Sequence, residues 1–78
     1  MERSEILVKL NKVFRDVFED DSLVITEDTK AEEIEAWDSL MNIALISEIE
    51  KVFSLKIAMK DVFNIKSIRK IVDIVSGL

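Results

Sequence analysis

The sequence predicts an all-α fold: three main helices plus one short helix, with a long loop between the first two. Two observations carry this. The chain has no Pro and a single Gly, Gly77, so strand-and-turn topologies lack the residues their tight turns require. Its apolar residues recur at spacings of three and four, which puts them on one face of a helix. With 78 residues it is expected to be one domain, 1–78, and its hydrophobic fraction of 49% is enough to build a small core.

The first helix is read over residues 3–18, where Ile6, Leu7, Leu10, Val13, Phe14, Val17 and Phe18 form a wide apolar stripe. Ser4 or a neighbour is the expected cap. Residues 19–37 break the pattern. Glu19-Asp20-Asp21-Ser22 is an acidic stop, and Thr26-Glu27-Asp28-Thr29 is polar and cap-like. Lys30 to Glu35 can make a helical turn. So long a connection in a small domain is usually functional or disordered. Here Leu23, Ile25, Ile34 and Trp37 can anchor it, so an ordered, surface-crossing loop is expected. Its acids lack the spacing, central Gly and closing Glu of an EF-hand calcium loop.

The second helix is read over residues 39–53, with Leu40, Ile43, Leu45, Ile46, Ile49, Val52 and Phe53 as its broad apolar face. Asp38 is its natural N-cap, because a carboxylate there accepts from the first free N–H groups and suits the positive end of the helix dipole. Leu40 is expected to pack inward and hold the helix start. An extended linker follows, then a short helical turn at Met59–Phe63. The last helix covers 67–76, with Ser67 as cap, a stripe of Ile68, Ile71, Val72, Val75 and Leu78, and Gly77 at the left-handed position past its end. Phe14, Phe18, Phe53 and Phe63 are the expected large pieces of the core.

Composition excludes several function classes. There is no Cys and no His, so neither a thiolate metal site nor the commonest general base is available, and no metal site is expected. A net charge of −5 disfavours nucleic acid and anionic membranes. No apolar run approaches the roughly 20 residues needed to span a bilayer. The N-terminal Met1-Glu2-Arg3-Ser4-Glu5 is unlike a signal peptide. A cytoplasmic location is therefore expected, and the chain is read as a monomer.

The chemistry-bearing stretch is Trp37-Asp38-Ser39-Leu40, where the polar loop gives way to the second helix. Taken alone, Asp-Ser before an apolar run is ordinary capping. However, Asp38-Ser39-Leu40 at the head of the second helix of a four-helix acidic chain of this length resembles the acyl carrier protein family, and the match covers essentially the whole chain. Thr26-Glu27-Asp28-Thr29 is similar to the family's loop pattern. Leu45, Ile46, Ile49 and Phe53 fall where the family places its second-helix core.

The resemblance implies that the protein is not an enzyme and that Ser39 is the attachment point of 4′-phosphopantetheine, moved there from coenzyme A by a separate phosphopantetheinyl transferase, with Asp38 and Leu40 supporting the motif. The arm's thiol would then hold acyl or aminoacyl groups as thioesters, supplied by a ligase or acyltransferase and used by downstream synthases of fatty-acid, polyketide or other specialised biosynthesis. Local physics agrees, since a phosphodiester on Ser39 would lie at a helix N-terminus, where free N–H groups favour an anion.

One departure concerns partners. The best-known fatty-acid carriers present acids just after the serine, whereas this chain has Met41, Asn42 and Ala44 there, and acid returns only at Glu48 and Glu50. Met41, Ala44 and Glu48 are the expected docking stripe, with Lys60 and Asp61 of the short helix at its edge. Met suits adaptable contacts. The departure favours a specialised carrier at least as much as a housekeeping one. The competing readings are a small acidic helical adaptor in which Ser39 is only a capping residue and, more weakly, a hydrolase or transferase with Ser39 as nucleophile, which no His and no Gly-x-Ser-x-Gly elbow would activate.

Overall fold

The structure is a computed structural model that describes residues 1–77; Leu78, expected on the stripe of the last helix, lies outside the described residues. Four helices run in the order α1 (Arg3–Val17), α2 (Ser39–Phe53), α3 (Met59–Val62) and α4 (Ile68–Ser76), with a 3-10 turn at Ala31–Glu33 inside the long α1–α2 loop. No named strand is present among the described residues, only an isolated bridge between Lys30 and Ser67. The all-α expectation of three main helices and a short one is met.

The three longer helices begin where the sequence supplies a polar cap, whereas the short α3 starts at Ala58 without a side-chain cap. At α1 the cap is Glu2, which forms a reciprocal capping box with Glu5. Ser67 accepts from the Lys70 amide at the head of α4, and Gly77, at φ +86°, closes its end in the left-handed conformation. α2 also ends left-handed, at Ser54.

The core lies where α1 packs against α2 and α4. It joins Ile6, Leu10, Val13 and Phe14 of α1, Leu45, Ile46 and Ile49 of α2, and Ile68, Ile71 and Val72 of α4, closed by Ile25, Ile57 and Ile65 from the connections. No polar side chain among the described residues is buried with it.

The long loop is ordered by bonds made at both of its ends. Asn11 of α1 does most of this on one side. Its Oδ1 accepts from the Ile25 N–H at 2.8 Å, and its Nδ2 donates to the Ile25 carbonyl at 3.1 Å, so a single side chain satisfies both backbone groups of a buried residue. On the other side, the Ala31 N–H donates to the Lys66 carbonyl and the Ile68 N–H to the Thr29 carbonyl, tying the loop to the start of α4. Asn11→Ala would strip the Ile25 amide and carbonyl of their partners, and such orphaned groups cost about 1–3 kcal/mol. Thermal melting should fall accordingly, and hydrogen exchange at the Ile25 amide should accelerate more than at any core helix amide.

A charged cluster joins the loop to both terminal helices. Arg3 pairs with Glu27 and, at 2.8 Å, with Asp73 of α4, while Arg69 reaches Asp28 and Glu27. The Arg3 guanidinium, donating to Glu27, holds that carboxyl below the usual glutamate value. A depressed carboxyl stabilises the fold at pH values above its unfolded pKa, near 4.3 for Glu, and loses that contribution as pH falls through the lower folded value. Glu27→Gln should therefore melt lower than the parent at neutral pH. The gap should close on acidification below about pH 4. Melting curves of the two proteins taken across that range measure it.

Four apolar residues sit differently from expectation. Phe63 is 72% exposed, Leu40 75%, Ile43 65% and Val52 41%, while Phe18 and Phe53 are half-buried and Phe14 alone among the phenylalanines is enclosed. The apolar face of α2 is too broad for its neighbours. α1 covers the side that carries Leu45 and Ile49, and Leu40 lies nine residues before Ile49, two and a half turns at about 3.6 residues per turn, hence on the opposite side. The expectation that Leu40 packs inward is corrected on that ground. Phe63, the residue after the four-residue α3, projects from an element too short to turn it back to the core.

Candidate functional site

Ser39 is the first residue of α2 and is exposed. The backbone reaches it through Asp38, which is extended (φ −110°, ψ −173°) and so directs the chain into the helix from outside. The Asp38 carboxylate accepts from the Met41 N–H at 2.8 Å, and the Asp38 carbonyl accepts from the Asn42 N–H at 2.9 Å. Asp38 is thus the cap, as its sequence position predicts. The N–H groups of Ser39 and Leu40 precede the first intrahelical bond and point out of the helix end, free to meet an anion. Beyond the capping Asp38 itself, the first turn of α2 holds no acidic residue.

The junction is fixed from behind by Trp37. Its ring meets Phe14 edge-on at 5.3 Å between centroids and lies 6.5 Å from Phe18, which anchors the end of the loop on α1. Its indole N–H donates to Asn42 Oδ1 at 2.9 Å, and Asn42 Nδ2 donates in turn to the Val62 carbonyl of α3 at 3.3 Å. One side chain, a turn beyond Ser39, therefore braces the loop, α2 and α3 against one another. In the sequence Asn42 stood out only as a position where an acid was expected. No local signal gave its inward role, because Val62 lies twenty residues away.

Between α2 and α3 a cleft of about 760 Å³ opens beside Ser39. Asn42, Ile43, Ile46, Ser47 and Glu50 form its α2 wall, and Ile57, Met59, Val62, Phe63 and Ile65 face them. The exposed Ile43, Met59 and Phe63 are accounted for by this cleft: they line it or its mouth instead of the core. The expected docking residues lie elsewhere. Ala44 is exposed, Met41 and Glu48 are half-buried, Lys60 is exposed and Asp61 half-buried, and none of the five lines the cleft. At 3.6 residues per turn Met41, Ala44 and Glu48 share one face of α2, turned well away from the cleft side that carries Ile43 and Ile46. The α3 pair is not at their edge.

No group of three or more potential metal ligands occurs among the described residues. Nor is any helix among them long and apolar enough to cross a membrane. The Ser39 side chain is thus exposed on a capped helix head next to an apolar cleft, with room for a group attached there.

The comparisons agree. A family model described as "Phosphopantetheine attachment site" matches residues 8–75. The chain is also similar to the solution structure of a holo acyl carrier protein from Geobacter metallireducens, with 38% identity, 91% of this chain and 82% of that chain covered, and a TM-score of 0.84. A search of curated proteins gave no match. The chain belongs to the phosphopantetheine-binding family of acyl carrier proteins. It is accordingly a non-catalytic carrier, not an enzyme, and its cofactor is a covalently bound phosphopantetheine. Such carriers work with phosphopantetheinyl transferases and biosynthetic enzymes.

Proposed function

We propose that residues 1–78 form a single carrier domain that bears 4′-phosphopantetheine on Ser39 and presents acyl or aminoacyl thioesters, in the cytoplasm, to enzymes of fatty-acid, polyketide or other specialised biosynthesis. The observation that carries this reading is the exposure of the Ser39 hydroxyl at a helix head whose free N–H groups can receive a phosphodiester. In loading, the Ser39 oxygen bonds to the phosphorus that bears the pantetheine arm of coenzyme A. The pyrophosphate bridge breaks, the adenosine bisphosphate half leaves, and the serine proton goes to a base of the transferase. Asp38 supports the reaction by fixing the turn on which Ser39 is presented, and the apolar cleft offers the loaded arm somewhere to fold back. Leu40 is left on the surface next to the serine, available to a partner rather than to the core.

The test is incubation with coenzyme A, Mg²⁺ and a broad-specificity phosphopantetheinyl transferase. Intact mass should rise by one phosphopantetheine, and a titratable thiol should appear in a chain that has no Cys. An unchanged mass with several transferases would favour the adaptor reading, in which Ser39 only begins a helix.

For docking, the α2 face of Met41, Ala44 and Glu48 remains the proposal, extended toward Ser39 by Leu40, with Lys60 and Asp61 as a separate patch on α3. The low acidity of that face fits a partner that buries apolar area more than one that reads charge. Met41→Asp should raise the KM of its partner enzymes several-fold, since a carboxylate would have to be desolvated there. Unchanged partner kinetics would remove Met41 from the interface.

A further inference from the structure

The far end of the cleft is not apolar. Glu50 stands on its α2 wall, eleven residues beyond Ser39, a distance of about 16 Å along a helix rising about 1.5 Å per residue. Its Oε2 accepts from the Ile57 N–H at 2.7 Å. Its other oxygen makes no hydrogen bond among the described residues, and no cation among them lies within salt-bridge distance of it. Glu50 is half-buried: Ile46 and Ile57 line the cleft beside it, and on its other side it borders a shallow surface pocket with Lys51 and Lys56, neither of them within salt-bridge distance. The cleft therefore runs from the attachment serine, past aliphatic walls, to an anion with unused acceptor capacity.

Building on Ser39 as the attachment point, we propose that Glu50 selects the cargo, favouring acyl chains that end in an ammonium group over plain alkyl chains. An alkyl tip pushed against Glu50 would strip water from a carboxylate and return no hydrogen bond, which is unfavourable for a partly buried charge. An ammonium at the same place donates to the unused oxygen in a charge-assisted bond, while its methylene stem packs on Ile46 and Ile57. The Ile57 amide holds the carboxylate in position before any cargo arrives, so little ordering remains to be done on binding. Lys66 also lines the cleft and is the one group there that would select an acidic tip instead.

The test uses 6-aminohexanoyl-, heptanoyl- and adipoyl-coenzyme A as transferase donors, giving three holo proteins with cargo of nearly equal length. Loading of each is verified by intact mass. Failure at that stage counts against Ser39 as the attachment point and says nothing about Glu50. Thioester cleavage by hydroxylamine is then measured on each protein relative to the corresponding free coenzyme A thioester. The aminohexanoyl cargo should be protected about tenfold more than heptanoyl, the size of one charge-assisted hydrogen bond. Glu50→Gln keeps an oxygen for the Ile57 amide and removes only the charge, so it should bring the two cargoes together. Equal protection in the parent, a preference that survives Glu50→Gln, or strongest protection of the adipoyl cargo would each overturn the assignment.

Discussion

Ser39→Ala should abolish phosphopantetheine incorporation completely and leave thermal stability within about 0.5 kcal/mol of the parent, the usual range for a surface substitution. The two properties separate because the helix start does not depend on the serine. The orphan N–H of Met41 is satisfied by Asp38, and Ser39 is exposed at the first helical position, where Ala is an acceptable helix former. Asp38→Ala is the counterpart. It removes a side-chain cap, typically worth about 1 kcal/mol, which in a domain of this size lowers the melting temperature by about 4–8 °C. Asp38→Asn, which retains a capping oxygen, should recover most of that loss. Calorimetry and intact mass on the three variants separate presentation from chemistry. A drop for Ser39→Ala as large as that for Asp38→Ala would transfer the cap to Ser39 and undercut its availability as an attachment point.

The helix boundaries were legible because they are written in local chemistry. Asp38 and Ser67 are short polar caps directly before apolar runs, Gly77 takes the left-handed φ that ends a helix, and the helices begin and end within a residue or so of those marks. Ser39 was legible for the same reason, since the residue after a cap at the edge of a long loop is exposed almost by construction. Other features depend on residues far apart in the chain and left no local trace. Asn11 reads as a polar position on a helix until Ile25 folds onto it, and Asn42 as a surface position until Val62 arrives. The Arg3–Glu27–Asp73 cluster unites three segments whose charges are individually unremarked.

The apolar pattern of α2 was legible but ambiguous. It carries more apolar residues than one core needs, and periodicity does not say which of two partly apolar sides is covered. The structure divides them. Leu45 and Ile49 enter the core, while Ile43, with Met59 and Phe63 opposite, borders the cleft. Of the apolar residues expected in the core but left exposed, Ile43 and Phe63 line the cleft, while Leu40 and Val52 face outward elsewhere. The cavity itself could not be foreseen, because its width is set by how α3 is held off α2, and that spacing rests on Asn42 and on the Glu50–Ile57 bond.

The sharpest test of this division is a comparison of two phenylalanines that look equivalent in sequence. Phe14→Ala should cost about 3–5 kcal/mol, the range for removing a fully enclosed aromatic ring. For a domain whose total stability is about 5–15 kcal/mol, that is a large share of the whole. Phe63→Ala should change stability by no more than about 0.5 kcal/mol, because that ring is 72% exposed and its removal leaves no cavity in the core. Should Phe14→Ala prove too unstable to purify, Phe14→Leu keeps the site apolar and should fold with a smaller loss. Denaturant midpoints give the magnitudes, and Trp37 fluorescence locates the damage. The Phe14 ring meets Trp37 edge-on, and Trp37 braces Asn42 one turn beyond Ser39. Emission from the Phe14→Leu variant should therefore shift to the red as water reaches the indole, while Phe63→Ala leaves it in place. A red shift in Phe63→Ala of equal size would mean that the Trp37–Asn42–Val62 brace draws its rigidity from the cleft side rather than from the core, reversing the order of support argued for this site.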